Sequence, residues 1–176
     1  MVYASASPLP KFDFKFVLEE NTNSEITVFL YKIFVKLRPY LHEFLSQMSK
    51  IFEIVVLTAS EKDYADSILN YIENKTKYFA HRLFKNHCIV KEEVYLFKNL
   101  NVLTANRELK DILIVDNSVR NFALFICNGI PIIEFLGKDN DIELCKLSNF
   151  LVKLSEEKDC SEIIKENLVR FLLNKY

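Results

Sequence analysis

Two short aliphatic runs end in residues able to handle an anion. Residues 54–57, IVVL, lead into Thr58-Ala-Ser60, and residues 112–115, ILIV, lead into Asp116-Asn117-Ser118. A hydroxyl beside free helix N–H groups suits a phosphate, because those donors and the helix dipole both favour negative charge. An aspartate and an amide oxygen are hard ligands of the kind Mg²⁺ takes. Aliphatic runs this short are predicted to be strands buried on both faces. In an open α/β sheet the binding crevice lies at the carboxyl edge of the strands. Parallel near neighbours would bring Thr58, Ser60, Asp116, Asn117 and Ser118 to one edge. The alternative is a surface turn beginning with Asx chemistry.

The elements that must position these residues are legible on either side. Residues 12–18, FDFKFVL, and 26–35, ITVFLYKIFV, are rich in β-formers and flank the turn-like ENTNSE (20–25), which predicts a hairpin. Pro39 fits the first turn of a helix with Leu41, Phe44, Leu45 and Met48 at helical spacing. The stretch Thr58 to Glu61 offers a capping box or N-cap for a helix carrying Tyr64, Ile68, Leu69 and Ile72. Residues 75–100 mix short strand-like pieces with basic and aromatic residues. A buried strand at 130–135 and two amphipathic helices, about 139–156 and 160–175, complete the pattern. Strands alternating with helices predict an α/β parallel sheet with helices on both faces, in one domain spanning 1–176.

Composition narrows the function classes. The chain has 23 Lys plus Arg against 24 Asp plus Glu, so it lacks the basic surplus of a nucleic-acid binder. No apolar run reaches the eighteen or so residues of a membrane span, and the N-terminus has no signal-peptide pattern. Only two glycines occur, Gly129 and Gly137, which rules out a glycine-rich phosphate loop. The four cysteines form no C-x-x-C pair and no Cys-x5-Arg loop, and are expected to be reduced and mostly buried in a nuclear or cytoplasmic protein.

The words KLRPYLHEFL (36–45), FEIVVLTAS (52–60), YAD (64–66), HRLFKNHC (81–88), LFKNL (96–100) and ILIVDNS (112–118) together resemble the NLI-interacting-factor-like phosphatase domain. That group contains the small phosphatases of the RNA polymerase II C-terminal domain and the Dullard phosphatases, within the haloacid dehalogenase superfamily. The resemblance implies a haloacid-dehalogenase-like, Rossmann-like parallel sheet with a small β insertion at about 75–100 that helps bind a phosphopeptide. It implies that Thr58 and Lys98 contact the phosphoryl group and that Asp116 and Asn117 hold Mg²⁺, with Arg38, Ser60 and Arg82 in support. The implied partner is a phosphoprotein, such as the RNA polymerase II C-terminal domain. Val119 stands where the family has a proline, and Asn99 where it has an aspartate.

One part of the resemblance is missing. The family's chemistry needs a D-x-D-x-T/V motif at the end of the first buried strand, with an aspartate nucleophile and a second aspartate as acid and base. Residues 1–176 contain no such motif. Asp13 in KFDFKFV has Lys15 where the second aspartate would fall, and MVYAS matches the run that normally follows the motif. The resemblance places the absent strand at the sheet centre, between those ending at Thr58 and Asp116. Four aliphatic residues buried there would contribute on the order of 6–12 kcal/mol. The natural protein is therefore expected to extend upstream of Met1. The chain as given is expected to have negligible phosphatase activity and weakened Mg²⁺ binding; the alternative is a non-catalytic binding or scaffold protein on the same fold.

Overall fold

The computed structural model describes residues 1–21, 28–92, 95–157 and 159–174. The sequence's β-rich opening forms a three-stranded antiparallel sheet in the order β1 (Val2–Ser5), β3 (Val28–Leu37), β2 (Phe14–Asn21). The predicted hairpin is present, and the turn expected at its tip falls mostly on 22–27, outside the described residues. Asp13 serves that sheet, accepting a hydrogen bond from the Leu37 N–H at 2.7 Å. Pro39 lies in the turn before α1 (Leu41–Met48) and not inside it, because Tyr40, at φ 64°, reverses the chain first. The four apolar residues expected on one face of α1, Leu41, Phe44, Leu45 and Met48, are all buried.

A parallel β–α–β unit follows. Strand β4 (Ile54–Leu57) leads through α2 (Lys62–Ile72) to β5 (Phe79–Leu83), which pairs with it in parallel. Part of the segment expected to be an insertion thus belongs to the parallel framework, and the separate hairpin is β6 (Cys88–Lys91) with β7 (Tyr95–Lys98). The predicted capping box at α2 does not form: Glu61 makes no side-chain cap. Its carboxylate pairs with Lys85 at 2.6 Å, while the Ser60 N–H donates to Thr58 Oγ1 at 3.1 Å. The third unit joins β8 (Ile114–Asp116) in parallel to β9 (Gly129–Pro131) through a 3-10 segment at Val119–Asn128. Two helices close the chain, α3 (Glu143–Ser155) and α4 (Ser161–Leu173).

The main core collects Val35, the apolar faces of α1 and α3, and Ile68 and Ile72 of α2. A second cluster holds Leu100, Ile112, Ile114, Phe122 and Phe125, with Leu57 and Val119 packed against it. The expectation that both aliphatic runs are buried on both faces is corrected. Ile54, Val55, Val56 and Leu57 are all half-buried, and in the second run Ile112, Ile114 and Asp116 are buried while Leu113 and Val115 are not. The cause is topological. Strand β4 pairs only with β5, and β8 only with β9, so each has an unpaired edge among the described residues. The cysteines also depart from expectation: all are free, Cys127 is exposed, and Cys88, Cys145 and Cys160 are half-buried.

Arg82 and Glu73 fix the outer side of the β–α–β unit. The Arg82 guanidinium on β5 reaches Asp66 at 2.7 Å, Asn70 at 2.8 Å and Glu73 at 2.6 Å along α2. Burial pushes the Glu73 carboxyl up, but the Phe79 and Tyr78 N–H groups, Arg82 and Lys77 outweigh it and hold it at about 2, below its ordinary 4.5. A depressed carboxyl stabilises the fold above its unfolded pKa and loses that contribution as pH falls through the folded value. Stability should therefore drop by roughly 3 kcal/mol from this group between about pH 4.5 and 2. Denaturant unfolding across that range should show the loss, and Glu73→Gln, measured beside it, should lack that part of the slope.

Candidate active site

The carboxyl ends of β4 and β8 meet at one cavity of about 390 Å³, with Thr58, Ser60, Lys98, Asp116, Asn117 and Arg38 in its walls. Each is brought there by a different local rule. Thr58 follows the last residue of β4, and its N–H donates to the Leu83 carbonyl at 2.9 Å, which extends the β4–β5 pairing by one residue. Its Oγ1 already accepts from Ser60 N–H, so its own proton is available to an acceptor in the cavity. Asp116 ends β8 and is buried; its Oδ1 accepts from Ser118 N–H at 2.8 Å and from the Asn121 amide at 3.0 Å. The two readings of the polar terminus therefore coexist: Asp116 makes an Asx-type turn and faces the crevice as well.

Lys98 arrives from the hairpin. It ends β7 opposite Cys88, and its ammonium lies 2.5 Å from Asp116 Oδ2, with side-chain exposures of 16% and 3%. The gap of eighteen residues from Lys98 to Asp116 contributes Leu100, Ile112 and Ile114 to the second core cluster, and β7 packs against the 3-10 segment Val119–Asn128 that follows β8. Cys88 stays a thiol: burial raises its pKa more than Lys98 lowers it, and its Sγ lies 3.7 Å from the Thr58 carbonyl.

Arg38 is 2% exposed and grips Asp141 with two nitrogens, Nε to Oδ1 at 2.7 Å and Nη2 to Oδ2 at 2.8 Å, while its guanidinium lies 5.6 Å from the Phe135 ring centre. Asp141 also accepts from Glu143 N–H at the start of α3. Burial raises the Asp141 carboxyl, but the Arg38 and Glu143 bonds outweigh it and leave it below its ordinary value. Arg38 therefore ties β3 to α3 at the base of the site. Arg82 is not part of this group; it faces the outer side of α2. Sequence reasoning missed Asn121 and Asp141. For Asn121 the signal was its spacing of five from Asp116, whereas Asp141 lies 103 residues from its partner and left no local trace.

Thr58, Lys98 and Asp116 can orient an anion and steady its charge. As a Mg²⁺ site the arrangement is incomplete. Asp116 and Asn117 are oxygen donors of the right hardness, but the Asp116 carboxylate is spent on an ammonium and two N–H donors. A dication there must first displace Lys98, so these residues do not make a Mg²⁺ site by themselves. Among the described residues no group of three His, Cys, Asp or Glu is placed to hold a metal ion.

Comparison with known proteins identifies the family and the fold. The profile of the NLI interacting factor-like phosphatases matches residues 1–161. The chain is 37% identical over 175 residues to CTD small phosphatase-like protein 2 of Dictyostelium discoideum, covering 98% of the chain and 29% of that protein. It is 39% identical over 136 residues to CTD small phosphatase-like protein 3 of Caenorhabditis elegans, covering 77% and 46%. It is 30% identical over 166 residues to human carboxy-terminal domain RNA polymerase II polypeptide A small phosphatase 1, covering 94% and 60%. The chain thus spans less than two thirds of each of these relatives. The fission yeast RNA polymerase II CTD phosphatase Fcp1 bound to beryllium fluoride shares the fold, with a TM-score of 0.57 at 18% identity over 99% of this chain and 53% of that one. The architecture is the haloacid-dehalogenase-like α/β fold expected from sequence, and the chain belongs to the NLI interacting factor-like phosphatase family.

Proposed function

We propose that this domain is the phosphate-binding part of a Mg²⁺-dependent phosphoserine/phosphothreonine protein phosphatase, and that residues 1–176 alone do not complete the reaction. The observation that carries this reading is the convergence of Thr58, Lys98 and Asp116 on one cavity at the ends of two parallel strands. In it, Thr58 donates to a phosphoryl oxygen and Lys98 neutralises the transferring group. Asp116 and Asn117 would be the oxygen ligands of a dication in a completed site if Lys98 left Asp116 for the phosphate, and Arg38 and Ser60 support the walls. A nucleophile carboxylate and an acid–base partner have to be added, because residues 1–176 contain no D-x-D-x-T/V motif. Substrates of the polymerase C-terminal-domain type are suggested by the names of the relatives.

The test joins an aliphatic strand ending in Asp-x-Asp-x-Thr ahead of Met1 and assays turnover of phosphoserine peptides with Mg²⁺. Residues 1–176 should show none, and the extended domain should turn over phosphopeptides in preference to sugar phosphates. Within the extended domain, Lys98→Ala should lower kcat by about 10²–10³-fold, the scale of losing one charge-stabilising donor. An extended, folded domain that binds phosphopeptides without hydrolysing them would establish the second reading, a scaffold on the same fold. The Lys98–Asp116 pair favours that alternative to the extent that each partner already neutralises the other.

A further inference from the structure

The candidate active-site cavity carries four charged side chains in its walls, Arg38, Lys98, Asp116 and Glu134. Three are answered within the protein: Arg38 by Asp141, and Lys98 and Asp116 by each other. Glu134 has no ion pair or hydrogen bond among the described residues. It is exposed, while Ile132 and Phe135, which line the same cavity, are buried, so its carboxylate stands where the cavity opens to solvent. The strand explains its position. Pro131 pairs with Asp116 where β8 and β9 end, and the Ile132 N–H donates to the Asp116 carbonyl at 3.0 Å. Two further residues of chain span at most about 7 Å, which leaves Glu134 just beyond the carboxyl edge of the sheet and close to Asp116. A phosphate dianion brought to Thr58 and Lys98 therefore meets a carboxylate that no described residue neutralises. Like charges so placed oppose binding unless a cation arrives with the phosphate.

We infer that Glu134 selects phosphopeptides carrying a lysine or arginine one or two residues from the phosphorylated position. Successive residues of an extended peptide advance about 3.3 Å, so a basic side chain that near in sequence spans the distance from the phosphate to Glu134. A basic side chain fits a lone carboxylate better than a metal ion does, since among the described residues no group of three His, Cys, Asp or Glu is placed to hold one. A bare phosphate or a sugar phosphate brings no such cation, and an acidic flank adds to the repulsion, so one residue both attracts the right peptide and rejects the wrong one. The inference rests on the proposed phosphate site and names the substrate class that the charge of that site fits.

The test is titration of residues 1–176, followed by NMR, with phosphoserine peptides that place lysine, alanine or glutamate one or two residues from the phosphoserine, each beside its unphosphorylated twin. The best lysine peptide should bind about threefold more tightly than its alanine counterpart, the scale of an exposed ion pair, and about tenfold more tightly than its glutamate counterpart. Glu134→Gln should abolish the lysine preference and tighten the alanine peptide, because a like charge has left the neighbourhood of the phosphate. Glu134→Lys should reverse the preference toward glutamate, and both preferences should shrink as salt is raised. A merely structural role for Glu134 would weaken all peptides alike and would overturn the inference. Phosphate-dependent binding with no preference between lysine and glutamate, or a preference that survives Glu134→Gln, would overturn it too and leave the phosphate site standing. A lysine preference of the same size in the unphosphorylated peptides, with no gain from the phosphate, would keep Glu134 as the reader of a basic residue and remove the phosphatase reading. Absence of binding to any of the peptides would overturn both.

Discussion

Gly129→Ala is expected to destabilise the fold by about 3 kcal/mol or more, at the upper end of overpacking costs. A Cβ at that position would lie 2.0 Å from one carbon of the Phe122 ring and 2.1 Å from the next, and Phe122 has no exposed surface into which to retreat. The requirement is for space and not for backbone freedom, since Gly129 has an ordinary φ of −92°. The effect should reach the site. Residues Gly129, Ile130 and Pro131 pair with Ile114, Val115 and Asp116, and the Ile132 N–H donates to the Asp116 carbonyl at 3.0 Å. Pushing β9 outward therefore moves the residue that holds Lys98. Chemical denaturation of the single variant and of Gly129→Ala/Phe122→Leu checks the cause. The double variant should recover at least about 1 kcal/mol over simple addition, because the two changes share one contact. Additive costs would mean that the ring is not the obstacle.

Arg38→Met is expected to cost about 3–5 kcal/mol, because it leaves the Asp141 carboxylate, 11% exposed, without its cation. Asp141→Leu should cost a similar amount, since it strands a guanidinium 1% exposed. The double variant Arg38→Met/Asp141→Leu should return most of that loss, as apolar replacement of a buried ion pair is often close to neutral. A urea titration of all three variants gives the coupling energy directly. The result would separate two roles. If the double variant is stable, then in a domain extended to carry Asp-x-Asp ahead of Met1, any remaining loss of phosphopeptide turnover would report the charge of Arg38 beside the cavity and not the integrity of the fold.

What the sequence revealed followed physical range. Residues Thr58, Asp116 and Asn117 were legible because an aliphatic run ending in polar groups is a local pattern, and β4 and β8 do end there. The apolar spacing of α1, α2 and α3 was legible for the same reason. Strand β5 was not separable within the 75–100 segment, because it reads FAHRL, with Ala80 and His81 exposed inside the strand. Arg82 belongs to a recognisable word but serves α2, and only the fold distinguishes a basic residue facing the crevice from one facing outward. The same limit hid Asp141 and Asn121. Each acts through another residue, and such partnerships are set by packing and not by neighbours in the chain. The half-burial of both aliphatic runs was also unforeseen, since composition says that a strand is apolar and not that both its edges are filled.

Among the described residues β4 and β8 each keep one unpaired edge, a feature with consequences for handling residues 1–176 alone. An apolar strand with unsatisfied backbone groups is a template for uncontrolled pairing and aggregation. Residues 1–176 expressed alone should therefore aggregate at lower concentration than a domain in which both edges are paired, a difference that light scattering on dilution from denaturant would measure.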